Sequence, residues 1–227
     1  MMCMSIQAQI IKINNELPST VKLVAVSKFN PVEAIQEAYD AGQRIFGESR
    51  PQELKEKVHL LPDDIQWHFI GHLQTNKLKM VLPYVSLIHS VDSERLLEEI
   101  SKYAVKNSLK VKCLLEVFIA QEESKQGFSK DELFALLDKL QQNPIEGVEI
   151  CGLMGMASFV EDETQITAEF EELACIFNQV KEKYISTLPN FKELSMGMSG
   201  DYKIAIEKGS TLVRIGTSIF GARNYNK

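Results

Sequence analysis

The chain has 227 residues, of which 44% are apolar and 25% charged, and its formal net charge is -6. That balance supports a packed core, and its acidity argues against a nucleic-acid partner, because binding along a phosphate backbone needs clustered Lys and Arg. No run approaches the roughly 20 apolar residues that span a bilayer, and no basic start followed by an apolar stretch marks a secretory signal, so a cytoplasmic protein without a membrane partner is expected.

The first predicted element is a helix in which Ile6, Ile10, Ile13 and Leu17 share one face and Pro18 stops the chain. A strand follows from Leu23 through Lys28. Asn30-Pro31-Val32-Glu33 then reads as a helix start, with Asn30 as the cap and Pro31 at the first helical position, and Gly42 ends that helix. The unit repeats. Strand-like runs occur at 44–48, 65–70, 86–91, 110–119, 148–157, 193–198 and 212–220, and each except the last is followed by a polar turn and a helical stretch. Ser129 and Glu132 form a capping box ahead of Leu133, Leu136, Leu137 and Leu140. Ile166, Phe170, Leu173, Phe177, Val180 and Tyr184 keep helical spacing across the longest helix.

Eight strands alternating with helices imply parallel pairing, and such units can close on themselves. The expected fold is a (β/α)8 TIM barrel with an extra N-terminal helix, in one domain covering residues 1–227. An open doubly wound sheet is the rival, but that fold commonly carries GxGxxG or a P-loop, and neither occurs here.

In such barrels the reactive groups sit at the C-terminal ends of the strands, with phosphate bound after the seventh and eighth. Lys28 ends the first strand in phase with Val24 and Val26, and it points into the barrel if they do. Ser195-Met196-Gly197-Met198-Ser199-Gly200-Asp201 places small residues after the seventh strand, with Ser199 as a helix cap whose neighbouring N–H groups could receive phosphate oxygens. Arg214, Gly216 and Thr217 bring a cation, a glycine and a hydroxyl to the eighth. From the residues alone, a surface lysine and ligand-free turns describe the same pattern; taken together, these groups suit a phosphorylated aldehyde.

Cys3, Cys113, Cys151 and Cys175 lack CxxC spacing, so neither a zinc site nor a disulfide framework is expected. His68 and His72 are four apart but lie on a strand and a loop, which removes the helical metal geometry. Local hydrogen bonding, or packing beside a bound ring, is the reading for His68. Met154, Met156, Met196 and Met198 read first as barrel packing.

Val24 through Lys28, Phe46-Gly47-Glu48, Trp67 through Gly71, Leu73 through Lys77, His89 through Asp92, Glu122 through Phe128, Gly152-Leu153-Met154, Leu194 through Ser199 and Gly209 through Gly221 together resemble the pyridoxal phosphate homeostasis protein family. The resemblance runs in order from about Val21 to Arg223. It implies pyridoxal 5′-phosphate as the cofactor, held as a Schiff base on Lys28. It further implies that Ser199, Gly216 and Thr217 hold the phosphate, and that Arg214 faces the pyridine nitrogen, as in the related alanine racemase barrel. Val26, His68 and Met198 are placed around the same ligand. Ser49 stands where the family commonly has asparagine, so a polar contact to the ring is expected to be shortened or replaced by water. Gly155 stands where threonine is common. Glu122, Glu123 and Lys125 read as a solvated loop that the resemblance makes candidate lid contacts.

An arginine at the pyridine nitrogen disfavours its protonation and weakens the ring as an electron sink. The expectation is therefore a non-catalytic carrier that buffers or delivers the cofactor, with apo pyridoxal-phosphate enzymes as partners. The alternative is an enzyme with weak racemase-like activity on amino acids. A racemase would take a second base, a tyrosine, from an additional domain and dimer partner. This chain ends at Lys227, so that domain is not expected, and a monomer is. A Schiff-base aldolase is a further rival, with Glu48 as its acid/base.

Overall fold

The structure, a computed structural model, describes residues 4–120 and 126–221. Cys3, the loop residues Glu122, Glu123 and Lys125, and the tail beyond Gly221 lie outside the described residues. The described strands are β1 (Lys22–Val26), β2 (Ile45–Glu48), β3 (Gln66–Phe69), β4 (Leu87–Val91), β5 (Val111–Glu116), β6 (Val148–Met154), β7 (Glu193–Ser195) and β8 (Leu212–Ile215). All pair in parallel in chain order, and β8 pairs back onto β1, so the sheet is a closed eight-stranded barrel as the alternating pattern predicts.

Helix α1 (Ile6–Glu16) precedes the barrel. The helices α2 (Val32–Asp40), α3 (Pro51–Lys57), α4 (Leu78–Val81), α5 (Glu94–Lys106), α6 (Lys130–Gln142), α7 (Glu163–Lys183), α8 (Tyr202–Glu207) and α9 (Thr217–Phe220) each follow a strand. Ser5 caps α1, its Oγ accepting the Ala8 N–H at 3.2 Å, and the helix buries Ile10 and Ile13 as it packs on α2 and α9. The capping box at Ser129 and Glu132 forms as its sequence requires. Among the described residues no helix is long and apolar enough to cross a membrane.

Two apolar layers result from the strand period of two. Val24, Leu87, Leu114, Cys151, Met154 and Leu212 cluster inside the barrel. The alternate residues, among them Ala25, Phe46, Trp67, Phe69, Ile88, Val213 and Ile215, pack outward under the helices.

Several predicted boundaries shift, each for a local reason. Regular pairing of the first strand stops at Val26, and Lys28 lies in a turn beyond it. Asn30 is not the helix cap: Pro31 occupies that position without a side-chain bond, and the Asn30 amide instead donates to the Lys28 carbonyl at 3.1 Å. The run 110–119 ends as a strand at Glu116, with Val117 keeping only a bridge to Phe128. Likewise, 148–157 and 193–198 end at Met154 and Ser195. The run 212–220 divides at Gly216, after which Thr217–Phe220 is helical because the Ile219 and Phe220 N–H groups turn back onto the Gly216 carbonyl. Ser199 is not a helix cap either, since α8 starts after Asp201.

Strand β6 carries an extra residue against β5, with Cys113 opposite Ile150 and Leu114 opposite Gly152. There β6 runs so close to β7 that a Cβ on Gly152 would lie 1.7 Å from the Glu193 carbonyl oxygen. Backbone cannot yield as a flexible side chain can. Gly152→Ala is expected to cost at least about 3 kcal/mol in urea unfolding or to abolish folding; a midpoint close to that of the parent would contradict this packing.

Candidate functional site

Closure brings the two ends of the barrel sequence side by side. Val24 pairs with Arg214 and Ala25 with Ile215, so Val26 falls opposite Gly216. The contact is tight, because a Cβ on Gly216 would meet Val26 atoms at 3.2 Å. Lys28 is two residues past Val26, about 7 Å of extended chain. The half-buried Lys28 therefore starts from the strand end that touches the Gly216 turn.

That turn also touches the loop after β7. The Gly216 N–H donates to Ser199 Oγ at 3.3 Å, which places Ser199, Gly216 and the exposed Thr217 together at the C-terminal mouth. Asp201 accepts the Met198 N–H and shapes this loop. Met198 lines a cavity of about 250 Å³ with Glu116, Phe118, Gln126, Met156 and Ala157. Ser49 follows β2 at the same end, and the chain of Gly71 passes so close that a Cβ there would lie 2.4 Å from the Ser49 carbonyl oxygen.

Arg214 sits deeper. Its guanidinium donates to Ser195 Oγ at 2.6 Å and to the Gly155 carbonyl at 3.1 Å. Burial lowers its pKa to about 10, which leaves it a cation at neutral pH. Gly155, flagged in the sequence as a departure, is thus an acceptor for this cation, and a Cβ there would collide with Leu173 at 2.6 Å. Ser195 also meets His89 Nδ1 at 2.9 Å, and His89 Nε2 meets His68 Nδ1 at 2.9 Å. Burial holds His89 well below its ordinary value and His68 at about 3, so both rings are neutral. Ser195 Oγ accepts from Arg214, and the two neutral rings continue the chain from it, each with one ring nitrogen as donor and the other as acceptor. His68 therefore belongs to a buried polar thread that starts at Arg214, three hydrogen bonds removed from it through Ser195 and His89.

Glu116 was not singled out in the sequence. Only 2% of it is exposed, its Oε2 lacks a hydrogen-bond partner, and burial raises its carboxyl to about 7, helped by Asp92 and opposed by Arg214. Ser195 and His89 were likewise missed as site residues. Their signal was a polar residue at the inward phase of an otherwise apolar strand.

The Lys28 turn is strained. Phe29 has φ 65°, a left-handed conformation that costs a residue with a Cβ about 1–2 kcal/mol. Glu48 packs behind this turn, where its Oε1 accepts Ser27 Oγ at 2.6 Å and Lys57 Nζ at 2.7 Å. Burial raises its pKa despite Lys57.

A second cavity, about 420 Å³, opens at the opposite mouth and is lined by Lys22, His68, Glu149, Cys151 and Glu193. Its charges are largely paired, Lys22 with Glu193 at 2.7 Å and Lys110 with Glu149 at 2.9 Å. The C-terminal mouth, where Ser199, Gly216 and Thr217 meet, is the better candidate, because barrels of this kind bind phosphate at the turns after the seventh and eighth strands. Among the described residues no group of three or more His, Cys, Asp or Glu is arranged for a metal ion, and Cys113, Cys151 and Cys175 are free thiols.

Comparison with known proteins agrees with this geometry. The family model described as alanine racemase, N-terminal domain, matches residues 3–224. The pyridoxal phosphate homeostasis protein of Aquifex aeolicus is 41% identical over 205 residues, covering 90% of this chain and 88% of that protein. PipY of Synechococcus elongatus PCC7942, solved with PLP bound, is 35% identical with a TM-score of 0.86, over 96% of this chain and 100% of that one. Alanine racemase from Bartonella henselae, 18% identical with a TM-score of 0.72 over 98% of this chain and 62% of that one, shares the fold. With this barrel, this mouth and these relatives, the chain belongs to the pyridoxal phosphate homeostasis protein family, built on the alanine racemase N-terminal domain.

Proposed function

We propose that this chain binds pyridoxal 5′-phosphate through a Schiff base on Lys28 and serves to buffer or deliver it rather than to catalyse. The observation that carries this reading is the contact between Gly216 and Val26, which sets the lysine's strand end against the phosphate-ready turns. Ser199 Oγ, Thr217 Oγ1 and the backbone N–H groups of this turn form a neutral donor set suited to a phosphate dianion. Phosphate at one end and an amine at the other match the two reactive ends of the molecule.

When bound, the cofactor supplies an electrophilic carbon and a ring that can take up electrons. The residues here restrain the second property. Arg214 remains charged and donates rather than accepts protons, so a ring nitrogen facing it stays unprotonated. Ser195 and Gly155 fix the guanidinium, and the neutral histidines below supply no competing charge. Glu116, its carboxyl raised by burial to about 7, can take up or release a proton at the mouth near neutral pH.

In this reading residues 1–227 act as one monomeric domain in the cytoplasm, where free thiols persist, and the partners are apo pyridoxal-phosphate enzymes. Weak racemase-like turnover is the competing reading, favoured by the match to the alanine racemase domain.

Borohydride treatment of cofactor-loaded protein should fix the label on Lys28, and Lys28→Ala should abolish it. Label retained in full by that variant would reject the attachment point. Sustained amino-acid turnover lost with Lys28 would reject the carrier role, whereas transfer to an apo-enzyme faster than release into solution supports it. Thr217→Val, which removes one neutral hydrogen bond, should weaken cofactor affinity roughly three- to tenfold; an unchanged titration would remove Thr217 from the cradle.

Glu116 generates a pH prediction. Its folded pKa of about 7 exceeds the ordinary 4.5, so between these values the folded chain binds more protons than the unfolded one. The stability this contributes is complete below the lower value and is lost as pH rises through the window, on the order of 3 kcal/mol in the limit. Glu116→Gln should therefore gain on the parent steadily from pH 4.5 to 7. Parallel urea-stability profiles for the two would show that the carboxyl is not held protonated.

A further inference from the structure

We propose that Glu53, acting with Lys57 and Glu48, is a positioning residue that holds the Lys28 turn in its strained form and so presents the amine. This rests on the reading of Lys28 as the attachment point.

A left-handed residue other than glycine persists only where its surroundings over-determine it. At this turn both neighbours of Lys28 are clamped through the main chain. On one side the Phe29 N–H donates to Glu53 Oε2 at 2.9 Å. On the other, the Ser27 carbonyl accepts Lys57 Nζ at 3.0 Å and the Asn30 N–H at 3.1 Å. Ser27 Oγ completes the hold on Glu48.

Lys57 ties these together. Its ammonium has three donors, and all three have acceptors: the Ser27 carbonyl, Glu48 Oε1 at 2.7 Å and Glu53 Oε2 at 3.1 Å. Only 6% of the residue is exposed, unlike an ordinary surface ion pair. Glu53 and Lys57 are four apart on α3, so one helix face carries both jaws. An ion pair that served only to stabilise this helix would have no need to engage the main chain on either side of one lysine in another element.

The test uses full-length protein, with pyridoxal 5′-phosphate as the probe and borohydride-fixed label on Lys28 as the readout of attachment rate. Glu53→Ala should slow attachment about tenfold, the loss of one charge-assisted hydrogen bond. In a Phe29→Gly background the same substitution should cost less than threefold, because glycine adopts the left-handed turn unaided. An equal loss in both backgrounds would overturn the proposal, since a general structural role of Glu53 does not depend on the residue at 29. No loss in either would overturn it too. Glu53→Leu, which also lacks an acceptor, takes the place of the alanine variant if that variant fails to fold, judged by urea unfolding. Full labelling of Lys28→Ala would sink the attachment reading itself, which separates the two failures.

Discussion

The pairing of β8 with β1 is the constraint on which everything else in this molecule depends. Without it, Lys28 and Arg214 are 186 positions apart in the chain; with it, Val24 stands beside Arg214 and Val26 against Gly216. Closure also leaves the described sheet without an edge strand. The site is thus a product of the same hydrogen bonds that hold the fold.

The barrel interior has two regimes. One is apolar, with Val24, Leu87, Leu114, Leu212 and their neighbours packed together. In the other, an arginine, a serine and two histidines replace apolar packing with a continuous polar thread. A buried guanidinium needs acceptors for its donors, and Ser195 Oγ and the Gly155 carbonyl supply two of them. The histidines remain neutral because burial and the neighbouring cation both oppose a second charge. One cation is therefore kept at the mouth with neutral rings beside it, and Glu116 is the nearby carboxyl whose charge changes near neutral pH.

The turn at Lys28 shows the complementary strategy of local strain set against a buried cation. Phe29 is held in a conformation that its Cβ disfavours, and the restraint comes from α3, the helix after the next strand. Strand, turn and helix are consequently interdependent, and α3 reaches the mouth through Glu53 and Lys57 although neither faces the phosphate turns.

Composition and periodicity determined that this chain makes eight strands alternating with helices, because a period of two and a period of 3.6 leave different marks on the order of apolar residues. The capping box at Ser129, the first helix and the candidate mouth residues Lys28, Ser199, Gly216 and Thr217 were legible for the same local reason. Strand ends were not. Whether Thr217 continues a strand or begins a helix depends on where the Gly216 carbonyl finds its donors, and Asn30 left the cap for the Lys28 carbonyl. The place of His68 beneath Arg214, the raised carboxyl of Glu116 and the clamp from α3 were decided only by tertiary structure. Burial, hydrogen-bond partners and charge at a site come from residues distant in the chain, and no local pattern records which of them will meet.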